Sequence, residues 1–108
     1  MKKLTREDIL NNNDLATQEI EVPAWGGTIT IQAFSLGTRN KIYSASTNSV
    51  GQMDSEKVTI LSFVNGVIDP KFDAKDYDAL KVKNAKAMDF VVSSILKLSG
   101  IEGGTKNG

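Results

Sequence analysis

Four aspartates crowd the stretch DPKFDAKDYD: Asp69, Asp73, Asp76 and Asp78. Clustered carboxylates are the oxygen donors that a calcium ion takes. A calcium loop needs Asp or Asn at alternate positions, Gly at the sixth and Glu at the twelfth. Counting from Asp69, the sixth residue is Ala74 and the twelfth is Leu80, so the pattern fails. The stretch reads instead as a helix stop, a cap at Asp73 and a solvated first turn. A phosphate cradle is the chemistry that Gly26-Gly27 suggests, but it needs a strand before it and a helix after it. An alternating β-type segment follows these glycines, so they read as a hairpin turn. Nucleophilic catalysis fares no better. The chain has no cysteine and no histidine, which leaves only Lys or a carboxylate to activate a serine. No Gly-x-Ser-x-Gly elbow is present. The expectation is a protein that is not an enzyme and takes no cofactor or metal.

What remains is contact chemistry. Trp25, the single tryptophan, sits beside the glycine pair in EIEVPAWGGTITI. It either folds back over its own core or anchors a partner, since Trp is enriched at binding hot spots. Phe90 falls off the apolar stripe of the last helix, beside Lys86 and Lys97, and carries the same ambiguity.

These residues must be positioned by elements that the pattern outlines. Leu4 to Leu10 begins a short helix with Thr5 as cap and Asp8 three residues on, while Leu4 and Ile9 occupy hydrophobic-staple positions. Asn11 to Asp14 breaks it. Ile20 and Val22 alternate with Glu19 and Glu21, and Ile29, Ile31 and Ala33 alternate with Thr28, Thr30 and Gln32. This predicts a half-buried antiparallel hairpin, ended at Pro23 and turned by Gly26-Gly27 with positive φ. Ser35 caps a weak helix that carries Leu36, Ile42 and Tyr43 inward. Asp54 opens the strongest helix, uncharged from Val58 to Ile68 and stopped at Asp69-Pro70. Its small strip of Thr59, Ser62 and Gly66 reads as internal packing. A short helix follows Asp73, and a last one runs from about Asn84 to Ser99. That last helix carries a stripe of Met88, Val91, Val92, Ile95, Leu96 and Leu98, with Gly100 past its end.

Composition bounds the setting. At 108 residues the chain is one domain's worth. Lys plus Arg and Asp plus Glu each number 13, so the net charge is zero. That gives no basic excess for nucleic acid and removes the self-repulsion that opposes self-association. No apolar run approaches the ~20 residues that cross a bilayer. The lysines of MKKLTREDIL are followed by charged residues rather than an apolar signal core. The expected location is the cytoplasm.

The order of features resembles one family. Leu4-Thr5-x-x-Asp8-Ile9-Leu10 is followed by Asp14-Leu15, Thr17, Glu19 and Val22-Pro23-x-Trp25-Gly26-Gly27-Thr28-Ile29. Then come LSFVNGVIDP, Phe72, and a helix from Lys83-Asn84 to Leu98-Ser99-Gly100. This resembles the tail assembly chaperones of long-tailed bacteriophages, prophages and phage-tail-like elements, nearly end to end and most specifically in VPxWGGT. The resemblance implies binding of the tape measure protein and recruitment of tail tube protein subunits. It also implies a longer form made by frameshifting, and absence from the mature virion. The host cell would be an infected or lysogenic bacterium. The rival expectation is a structural tail-completion or head–tail connector protein that stays in the particle.

The expected fold is α+β: an N-terminal β-hairpin packed against three to four α-helices, mostly helical overall. Residues 1–100 form the domain and 101–108 a flexible Gly-rich tail. The expected partner-binding residues are Trp25, Ile29, Ile31 and Phe90.

Overall fold

The alternation between Thr17 and Gln32 closes as an antiparallel hairpin of β1 (Thr17–Val22) and β2 (Gly27–Gln32), with Ile20 opposite Ile29 and Gln18 opposite Ile31. The fold is a computed structural model that describes residues 1–101. The remaining elements are α1 (Arg6–Leu10), α2 (Leu36–Ser46), α3 (Ser55–Gly66), β3 (Val67–Asp69), α4 (Tyr77–Lys81) and α5 (Ala85–Leu98). The architecture is α+β and mostly helical. The tail from residue 102 onward lies outside the described residues. Ile101, expected to belong to it, is instead partly buried beside α5.

Caps decide where the helices begin. Asp54 accepts from the Lys57 amide at 3.1 Å to open α3, and Asn84 accepts from the Ala87 amide at 2.9 Å to open α5. Ser35 accepts from the Thr38 amide at 3.1 Å to open α2. At the far end of α5 the chain turns at Gly100, with φ 77°. The Gly100 amide donates to the Lys97 carbonyl and the Ile101 amide to the Leu96 carbonyl. That pairing is a Schellman closure, and its left-handed residue favours glycine.

The uncharged stretch that reads as one helix to Ile68 is in fact two elements. The helix stops at Gly66, and Val67–Asp69 pairs antiparallel with β2, giving the sheet order β1-β2-β3. A fully apolar run is compatible with a buried helix or a buried strand. Gly66 disfavours continuing the helix, while the β-branched pair Val67-Ile68 fits a sheet. The Asp69-Pro70 stop therefore ends a strand rather than a helix. In α2, Ile42 is buried as expected, but Leu36 and Tyr43 are exposed. That helix packs chiefly on α3, which offers one seam rather than a surrounding core.

The core is a single cluster. Val22 and Ile31 from the sheet meet Ile60, Phe63 and Val67 around α3, and Met88, Val91, Val92 and Ile95 from α5. The strip of small residues on α3 is internal, with Ser62 and Gly66 both buried. A Cβ at Gly66 would stand 2.5, 2.6 and 2.9 Å from Ile95 Cδ1, Cγ2 and Cγ1. Ile95 is itself fully buried and cannot swing away. A second tie joins the sheet to α5. The Phe34 amide donates to Ser99 Oγ at 2.8 Å, and that hydroxyl donates to the Ile95 carbonyl at 2.8 Å.

Gly66→Ala is expected to destabilise the fold by roughly 1–3 kcal/mol through overpacking. Adding Ile95→Val should cost less than the sum of the two single changes, because the sites share one contact. Urea unfolding of the four proteins measures this. An unchanged midpoint for Gly66→Ala would show that the helices do not meet there.

Candidate functional site

Trp25 is placed by a tight turn. Pro23–Trp25 forms one turn of 3-10 helix, Pro23 leading it, and Gly26 closes it with φ 70°. Only Gly26 takes the left-handed conformation. Gly27 already belongs to β2, contrary to the expectation that both glycines do so. The turn lays the indole edge against Phe63, with centroids 6.0 Å apart and planes at 80°. Phe63 in turn meets Phe72 edge-on at 5.2 Å. Such edge-to-face pairs match the positive ring edge to the negative face. Trp25 still keeps 38% of its surface exposed. The indole therefore covers part of the core while the rest of its surface faces outward.

The other expected contact residues divide. Phe90 is 46% exposed on α5, between the exposed Lys86 and Ser94, whose hydroxyl donates to the Phe90 carbonyl. Ile31 is 0% exposed, so the expectation that it lines a contact surface is corrected. It lies on the central strand, with β1 and β3 on either side and α5 beneath, and belongs to the core. Ile29 is half-buried and packed against the same core, which leaves it little to offer a partner.

Phe90 is not isolated. It forms one wall of a groove of about 760 Å³ between β1 and the start of α5. Glu19, Ile20, Glu21 and Val22 line one side, and Asn84, Lys86 and Ala87 line the other. The groove runs along a sheet edge that is free among the described residues, where β1 pairs only with β2. The Ala33 amide donates to the Ala16 carbonyl at 2.9 Å. Alternation from that bond turns the backbone groups of Thr17, Glu19 and Glu21 toward the open edge. Charged residues on such an edge oppose unselective pairing. A second hollow, of about 670 Å³, lies between α3 and α5, lined by Met53, Val58, Val92 and Leu96 with Asp89 and Lys97 at its rim.

Sequence patterning does not bring out the amino-terminal arm as a site. α1 has the expected capping box: the Asp8 amide donates to Thr5 Oγ1 at 3.1 Å, and the Thr5 amide donates to Asp8 Oδ2 at 3.0 Å. Yet none of its residues is buried. Leu4, Ile9 and Leu10 stand 61%, 59% and 63% exposed. The staple positions are thus occupied but uncovered.

Two of the four aspartates that suggested a metal, Asp73 and Asp76, bond to backbone amides. Asp73 accepts from the Lys75 amide at 2.8 Å, and Asp76 accepts from the Asp73 amide at 2.9 Å. Burial, followed by the carboxylates of Glu56, Asp54 and Asp78, pushes the Tyr77 hydroxyl above its ordinary range. The arrangement as a whole offers apolar and backbone contact. The chain matches no family model, no curated protein and no solved structure.

Two outcomes follow. Trp25→Ala should cost about 1–2 kcal/mol, the edge-to-face pair plus part of the buried indole area. Urea unfolding measures it, and no loss would mean that Phe63 does not need its cover. The hydrogen bonds from Thr5, backbone and then side chain, hold the Asp8 carboxyl below its ordinary range, helped by Lys2 at 3.4 Å. A lowered folded value makes this local support of α1 present above the ordinary carboxylate range. It is lost as pH falls through the folded value. Amide shifts of Thr5 and Asp8 on acidification should report fraying of α1 alone. Shifts that track global unfolding would contradict it.

Proposed function

We propose that this protein is a non-enzymatic tail assembly chaperone of a bacteriophage or phage-tail-like element. It holds the tape measure protein in soluble form and helps to recruit tail tube subunits. One observation carries the reading: the VPxWGGT segment, the sharpest part of the resemblance, forms a tight hairpin turn that leaves Trp25 partly exposed. A side chain anchored on one edge by Phe63 is a preorganised contact, which lowers the entropy lost on binding.

The groove beside β1 adds a second contact surface, with Phe90 as its aromatic wall. A holdase for a long apolar helix needs apolar surface and modest affinity per copy, summed over many copies. Trp25 and Phe90 lie at the two places on the hairpin and α5 where such surface is presented. The protein would act in the cytoplasm of the infected or lysogenic bacterium and leave before the particle is complete. A longer, frameshifted form would share this domain.

Co-expression with the cognate tape measure protein, followed by affinity capture and a solubility assay, tests the proposal. The expected result is a soluble complex with several copies of this chain per tape measure. Trp25→Ala and Phe90→Ala should each reduce capture while the domain stays folded. A tape measure protein that stays insoluble and unbound with both the short and longer forms would sink the reading. So would finding this chain in finished particles, which would favour a structural tail component.

A further inference from the structure

The outer edge of β1 is chemically specific. Among the described residues the strand pairs only with β2, and the amides and carbonyls of Thr17, Glu19 and Glu21 face the open side. Its side chains alternate in character. Ile20 and Val22 lie on the core side, with Ala87 and Phe90 of α5 across the groove, and Glu19 and Glu21 lie on the exposed face. Glu19 accepts from the Thr28 hydroxyl at 3.1 Å. Neither glutamate pairs with a cation among the described residues. We infer that β1 takes an extended segment of another protein as a further strand, one in which apolar and basic residues alternate. Its apolar side chains would enter the β1–α5 groove over Ile20 and against Phe90. Its Lys or Arg side chains would lie on the opposite face, beside Glu19 and Glu21.

Backbone and charge choose the occupant. An added strand satisfies the edge amides and carbonyls directly, whereas a helix has already spent its own within its turns. Opposite charges facing each other across a strand pair favour it, and like charges oppose it. A second β1 would bring its own Glu19 and Glu21 to this edge, which disfavours another copy of that strand. The chain's own apolar–basic alternations, Leu80-Lys81-Val82-Lys83 and Leu96-Lys97-Leu98, lie in α4 with its following turn and in α5. Lys86 lines the α5 wall, so a basic residue on the inward face would meet a like charge and an apolar one would not. The glutamates thus deter unselective pairing and admit a basic strand. The inference does not rest on the chaperone reading, which is carried by Trp25 and a helical client, so either can fail alone.

Titration of the full chain with synthetic peptides, read by calorimetry and amide NMR, tests it. The probe is a capped peptide of alternating Val and Lys, as long as the six residues of β1. It should bind saturably, shift the Thr17, Glu19 and Glu21 amides, and slow their exchange with solvent. N-methylation of the lysine amides or of the valine amides, whichever set faces β1, should weaken binding about tenfold or more. Methylation of the other set should not. A peptide of alternating Val and Glu should not bind the wild type. Glu19→Lys with Glu21→Lys, its folding checked by circular dichroism, should exchange the two preferences. Should that variant misfold, the methylated peptides decide the matter on the wild type. Absence of saturable binding overturns the inference, as does indifference to both methylations. So do shifts centred on the α3–α5 hollow, or a folded variant that still prefers the Val–Lys peptide.

Discussion

The close approach of α3 and α5 at Gly66 and Ile95 governs where the β1–α5 groove lies. With only hydrogen on Gly66, the fully buried Ile95 side chain occupies the space a Cβ would fill. This fixes the roll of α5 about its axis. Met88, Val91, Val92 and Ile95 then face the core together. At about 100° per residue, Phe90 falls roughly 140° from Ile95, on the outer side. The same roll brings Ala87 and Phe90 alongside β1, so the groove follows from an internal contact between helices. Ser99 reinforces it by joining the end of α5 to the chain just beyond β2.

The hairpin turn solves a related problem. Phe63 is buried in the core, and two further aromatic rings pack against it. Phe72 supplies one edge and Trp25 another. Pro23 and Gly26 give the turn its shape, and the indole is the only side chain there large enough to span from the turn to the core. Stability and outward display thus fall on one residue. A substitution at Trp25 changes both at once, and binding losses must be separated from folding losses by measuring each.

Much of the fold was legible because its signals are local. Caps at Thr5, Ser35, Asp54, Asp73 and Asn84, the period-two alternation of the hairpin, and the stripe on α5 all depend on neighbours within a turn or two. What was misread depends on distant partners. Val67 and Ile68 became a strand because β2 offers them an open edge, which no local pattern records. Tyr43 and Leu36 stayed outside because α2 packs chiefly on α3, along one seam. For the site, the assignment of Ile31 to a contact surface runs against its own alternation, which puts the apolar face of a half-covered sheet toward the core. Phe90 was legible as off-stripe, but its groove was not, since β1 and α5 are far apart in sequence. The arm was legible as a helix and not as an uncovered one.

Net neutrality hides a local separation of charge that bears on how such a domain could serve two kinds of contact. Lysines sit at the start of the arm, and glutamates line β1, so the two ends of the amino-terminal third have opposite character. The β1–α5 groove is suited by its acidic edge to a basic apolar segment, and Trp25 stands outside that groove on the turn.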